Sequence, residues 1–127
     1  MSRWSVYNHG MSGKQMQEPT FLILTSLAAG PQHGYGIMTD VAQISEGRVR
    51  LRAGTLYAAL DRLSTDRLLE VDREEIVDTR LRRYYRLTPA GRARLAAETA
   101  RLRANVAVAT QRLGPAVSFR RLSLAGS

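Results

Sequence analysis

Arginine, threonine and tyrosine side chains at a few fixed spacings carry the chemistry this sequence offers. Arg48, Arg50 and Arg52 alternate in Arg48-Val49-Arg50-Leu51-Arg52, and Arg80, Arg82 and Arg83 crowd a second short stretch. Guanidinium groups grip phosphate oxygens through a fork of N–H donors. Between the clusters, Gly54-Thr55-Leu56-Tyr57-Ala58 sets two hydroxyls two residues apart, and Arg62 follows. A hydroxyl can bond a base edge or a phosphate. Each feature also has a plainer reading. Asp72, Glu74, Glu75 and Asp78 could neutralise the arginine face, Asp66 could pair with Arg62, and Tyr57 could pack beneath its helix.

Other chemistries are poorly served. The two histidines, His9 and His33, lie in no nucleophile or metal pattern, and there is no cysteine. No glycine-rich phosphate loop occurs, and the carboxylates cluster in a polar stretch rather than a likely pocket. The sequence therefore reads as a non-enzyme with no cofactor and no metal.

The formal charge of +8 and a pI near 11.0 favour a polyanionic partner. The excess is not evenly spread. Residues 20–87 hold ten arginines against nine carboxylates, whereas residues 88–127 hold seven arginines and Glu98 alone. Any polyanion surface in the first segment must come from local clustering. No apolar run approaches the ~20 residues of a membrane span, and the N-terminus lacks a signal-peptide layout. The expectation is a cytoplasmic protein with no membrane role.

The elements that position these groups follow from periodicity. Residues 1–17 show no period and read as a flexible arm. A first helix runs from Pro19 to Ala29, apolar nearly all round, and Gly30-Pro31 stops it. A second runs from Gly34 to Ile44 with Ile37, Val41 and Ile44 on one face. His33 can cap it. Arg48–Arg52 alternates as a short strand. A third helix, Ala53 to Arg67, buries Leu56, Leu60 and Leu63, leaving Thr55 and Tyr57 off that face. Strands at 68–72 and 81–87 flank a polar connection and read as a hairpin, Tyr85 sharing an inward face with Leu81 and Leu87. Thr88-Pro89 opens a last helix that ends at Gly114-Pro115. Within it Leu95, Thr99, Leu102, Val106, Ala109 and Leu113 follow heptad spacing, a seam suited to a second copy of the chain. The fold class is mainly α with a small β-hairpin, α+β, in the order of a winged helix-turn-helix. Residues 18–88 form that domain, 89–114 a dimerisation helix and 115–127 a tail.

Three stretches sharpen this. Gly30-Pro31-Gln32-His33-Gly34-Tyr35-Gly36-Ile37, Ala53-Gly54-Thr55-Leu56-Tyr57-Ala58-Ala59-Leu60-Asp61-Arg62-Leu63 and Arg83-Tyr84-Tyr85-Arg86-Leu87-Thr88-Pro89-Ala90-Gly91 resemble, in order and spacing, motifs of the PadR family of bacterial transcription regulators. The resemblance covers Pro19 to about Leu113. It implies a homodimeric, ligand-responsive repressor on double-stranded DNA. The third helix would read the major groove. The DNA-contacting set would be His33, Tyr35, Arg50, Arg52, Gly54, Thr55, Tyr57, Ala58, Arg62, Arg80, Arg82 and Arg83. A small hydrophobic or aromatic effector would sit near Phe21, Leu102 and Val106, although no tryptophan occurs in the last helix to stack on it. One departure stands out. Arg52-Ala53 replaces the family's usual Ser-Pro, exchanging an N-cap hydroxyl worth ~1 kcal/mol for a cation at the helix entrance. The competing function is a protein-interaction or ligand-sensing winged module that no longer reads DNA.

Overall fold

The computed structural model describes residues 15–115. Most of the expected N-terminal arm, and the expected tail from residue 116, lie outside the described residues. Seven elements follow in order: α1 (Glu18–Ala28), β1 (Gln32–His33), α2 (Gly34–Ile44), α3 (Ala53–Thr65), β2 (Leu69–Val77), β3 (Arg80–Leu87) and α4 (Pro89–Leu113). The strands form one antiparallel sheet in the order β1-β3-β2.

The core lies where the three short helices meet the base of the sheet. Leu22, Ile23, Leu24 and Leu27 of α1 are buried against Ile37 and Val41 of α2 and Leu56, Leu60 and Leu63 of α3. Leu69, Tyr85 and Leu87 close it from the sheet. Each such side chain contributes about 1.5–3 kcal/mol by leaving water. An exposed ion pair contributes at most about 1 kcal/mol. The core therefore fixes the fold, and the many surface arginines are left for other work.

Thr88 joins sheet to α4. Its Oγ1 donates to the Arg67 carbonyl (2.7 Å) and accepts from the Gly91 N–H (2.9 Å), so one hydroxyl caps α4 and ties it to the α3–β2 turn. Gly91 lies directly over the Leu68 carbonyl, where a Cβ would overlap the oxygen. Glu98 is buried, ion-paired with Arg101, and accepts from the Met16 N–H (3.5 Å).

Four expectations need correction. Arg48–Arg52 is not a strand. Its alternation is real, with Val49 and Leu51 half-buried against the core and the three arginines exposed. However, no strand lies alongside, and the Val49 N–H donates to Ser45 Oγ (3.0 Å) instead. The third strand is β1, within Pro31-Gln32-His33. Secondly, the hairpin is longer than expected: β2 continues through the charged residues to Val77. The turn is only Asp78-Thr79, both at positive φ (50° and 63°). Thirdly, Leu81 is 57% exposed rather than core, because the hairpin projects beyond the body. Fourthly, Ile44 is 43% exposed, one turn past the packed stretch of α2.

Candidate nucleic-acid interface

Helix α3 presents two faces. Leu56, Ala59, Leu60 and Leu63 point into the core. Gly54, Thr55, Tyr57, Ala58, Asp61 and Arg62 are exposed. No side chain caps its N-terminus: Arg52 occupies the cap, its carbonyl accepting from the Leu56 N–H (2.9 Å) while its side chain makes no cap bond. An added Cβ at Gly54 would meet nothing, so packing within the chain does not demand glycine there.

Tyr57 reaches across to the start of α2. Its hydroxyl lies against Gly34, and a Cβ at that position would overlap it. The residue as a whole nevertheless stays 49% exposed, so contact with Gly34 does not remove it from the surface. His33 caps α2, its Nδ1 accepting from the Gly36 N–H (3.2 Å). Its ring stands edge-on to Tyr84, with centroids 5.3 Å apart. Arg73 covers Tyr84 at 3.9 Å. Burial, and secondarily Arg82, hold His33 below its usual pKa, while Glu75 pulls the other way. Neither Tyr84 nor Arg73 stood out in the sequence as part of this region. Antiparallel pairing of His33 with Tyr84 brings them in, and only the position of β1 reveals it.

The arginines divide into two groups. Arg83 pairs with Glu74 (2.8 Å), Arg86 with Glu70 (3.0 Å) and Asp72 (2.9 Å), and Arg73 with Asp72 (3.0 Å) and Glu75 (2.9 Å). Arg86 and Arg73 hold the Asp72 carboxyl below its ordinary pKa. Arg48 pairs with Glu18 (2.8 Å). Arg62 donates weakly to Thr20 Oγ1 (3.4 Å), not to Asp66. Among the described residues, Arg50, Arg52, Arg80 and Arg82 have no carboxylate partner. The wing acids thus engage Arg73, Arg83 and Arg86, while Arg80 and Arg82 line the groove beside Tyr57.

These side chains line two depressions on either side of α3. A groove of about 420 Å³ between hairpin and helices joins His33, Tyr35, Tyr57, Asp78, Arg80, Arg82 and Arg83. A second, of about 450 Å³, joins Thr20, Gly54, Thr55, Ala58 and Arg62. Arg50 lies apart, beside Gly47 and sharing a shallow hollow with Tyr35. The expected seam on α4 is unevenly covered. Leu95 packs against the core and Leu102 is half-buried. Val106 (50%) and Leu113 (63%) are open, as are Thr99 and Ala109. Phe21 packs partly on the core from α1.

Comparison with known proteins places this geometry. Residues 23–97 match the model of the transcriptional regulator PadR-like family. A curated transcriptional regulator of Mycobacterium tuberculosis is 47% identical over 73 residues, 58% of this chain and 64% of that protein. The match thus spans less than two thirds of the relative's length. A PadR family regulator from Clostridium difficile superposes with a TM-score of 0.64 at 28% identity, covering 77% of this chain and all of that one. Bacillus subtilis PadR, solved with operator DNA, shares the fold with a TM-score of 0.57 at 22% identity, over 63% of this chain and 45% of that one. No helix among the described residues is long and apolar enough to cross a membrane. With a family model spanning more than half of the sequence and a fold that agrees with it, the chain belongs to the PadR-like family of transcriptional regulators.

Proposed function

We propose that the chain represses transcription by binding double-stranded operator DNA as a homodimer. Helix α3 of each protomer enters the major groove with Thr55, Tyr57 and Ala58 toward the bases. Arg50, Arg52, Arg80 and Arg82 hold the flanking phosphates, with His33 and Tyr35 at the wing-side groove and Gly54 and Arg62 at the other. The observation that carries this reading is the groove in which Arg80 and Arg82, without an ion pair, meet Tyr57 of the exposed face of α3. Arg83, paired with Glu74, plays a lesser part than its position in sequence suggests. Two copies joined along α4 would set their recognition helices ~34–36 Å apart, one DNA turn. A small apolar effector between α1 and α4, near Phe21, Leu102 and Val106, would shift that spacing.

Fluorescence anisotropy with a duplex from the chain's own upstream region tests the proposal. The logarithm of the affinity should fall linearly with the logarithm of salt. Arg82→Ala or Arg80→Ala should each flatten that slope by about 0.9, whereas Arg86→Ala should leave it nearly unchanged. Salt-insensitive binding, or equal effects of Arg82→Ala and Arg86→Ala, overturns the assignment. Tight capture of a protein partner, indifferent to Thr55, Arg52 and Arg82, would favour the interaction-module alternative.

A further inference from the structure

His33 sits where three elements meet. Its backbone belongs to β1, its Nδ1 caps α2, and its ring packs on Tyr84 of β3. Because the Gly36 N–H donates to Nδ1, that nitrogen carries a lone pair. A neutral imidazole with a lone pair on Nδ1 bears its proton on Nε2. The cap therefore selects the tautomer. Among the described residues, the one buried side-chain polar atom without a partner is Ser26 Oγ. Among the described residues His33 Nε2 has no hydrogen-bond partner and is not such a buried atom, so it keeps access to solvent. The residue lines the groove that also holds Arg80, Arg82 and Tyr57.

We propose that His33 donates its Nε2–H as a neutral ring to a backbone phosphate of bound DNA, in the tautomer that the α2 cap enforces. This rests on the DNA-binding reading and goes beyond it by fixing the charge state at one contact. The more usual expectation is the reverse: a histidine beside phosphate gains a proton, and acid strengthens binding. Two features oppose that here. Protonation would put a hydrogen on Nδ1 against the Gly36 N–H and destroy the cap. The charged groups around the ring also give no net invitation to a proton. Arg82 of β3 disfavours it and Glu75 of β2 favours it. Glu75 is itself bonded to Arg73; Asp40 of α2 lines one cleft that His33 borders, and in the other Asp78 is joined by Arg80, Arg82 and Arg83.

Two isosteric variants separate the roles. Asparagine matches the reach of Nδ1 and is a strong N-cap, but it lacks a donor at the Nε2 position. Glutamine reaches the Nε2 position but cannot cap. Anisotropy titrations use a mixed-sequence duplex, because a phosphate contact is independent of sequence. His33→Asn should keep its melting temperature and bind about 10- to 150-fold more weakly, the value of one hydrogen bond to a charged acceptor. Its salt slope should match that of the wild type, since a neutral donor releases no counterion. His33→Gln should melt lower yet bind more tightly than His33→Asn. The ratio of wild-type to His33→Asn affinity should stay flat or fall between about pH 8 and about pH 6. A ratio that grows on acidification, with the wild-type salt slope steepening by about 0.9, identifies a cation and overturns the proposal. So does an Asn variant that binds as well as the wild type. A wild type that binds no duplex at any pH removes the DNA-binding reading itself, a failure distinguishable because no variant is needed to see it.

Discussion

A methyl group at Gly91 would overlap the Leu68 carbonyl oxygen, whereas one at Gly54 would meet open space. This contrast decides the sign of two otherwise identical changes. Alanine gains up to about 1 kcal/mol over glycine in a helix. At Gly54 nothing opposes the gain, so Gly54→Ala should raise stability by up to that amount. At Gly91 the obstacle is backbone, which cannot swing aside, and overpacking costs about 1–3 kcal/mol or more. Gly91→Ala should therefore lower stability, with α4 displaced from the sheet. Paired denaturant titrations of the two variants check this, and equal shifts would contradict the packing described. At this scale the sequence was informative about type but not about reason. It marked Gly91 within Thr88-Pro89-Ala90-Gly91, but the carbonyl beneath it comes from Leu68, twenty-three positions earlier and invisible to local pattern.

Helix α3 begins without a side-chain cap because Arg52 holds the cap position. Arg52→Ser should supply that bond and raise stability by about 1 kcal/mol. It should also remove a free cation and flatten the salt dependence of DNA binding by about 0.9. Thermal melting and salt titration on one preparation read both effects, and a variant that gains neither stability nor a shallower slope refutes the account of Arg52. The hairpin shows why some elements were hard to read. Beyond Val71 both of its faces meet solvent, so no apolar alternation marks β2, and charged pairs such as Glu74–Arg83 replace hydrophobic ones across the strands. The stretch Arg48–Arg52 presents the opposite case. It has the alternation of a strand but no neighbour to bond, and Ser45 Oγ takes the Val49 N–H instead.

Helix α4, 25 residues long, extends about 37 Å at 1.5 Å per residue. Only its first half packs on the body, through Gly91, Leu95 and the buried Glu98. Beyond that, Val106, Val108 and Leu113 stand open to solvent, an arrangement that a second copy would relieve. In the proposed homodimer, Val106→Asp should yield a monomer by sedimentation, with the melting of the winged domain nearly unchanged. DNA affinity should then fall by more than about 10-fold, because two half-sites no longer bind as one. A dimer that persists, or a monomer with undiminished affinity, would count against the α4 seam.

The helices, their buried leucines and the exposed hydroxyl face of α3 were fixed by the sequence alone. Periodicity and end signals act over a few residues, and the core obeys them. The sequence also marked both arginine clusters. Which arginines remain free was a tertiary decision, because it depends on cross-strand register. That register sets Glu74 opposite Arg83, Glu70 opposite Arg86 and Val77 opposite Arg80; it also sets Glu75 opposite Arg82, but Glu75 bonds Arg73 instead. The placement of β1 beside β3 was likewise decided only in the fold, and with it the meeting of His33 and Tyr84. Two residues are too short for any period, and their strand exists because a neighbour supplies its hydrogen bonds.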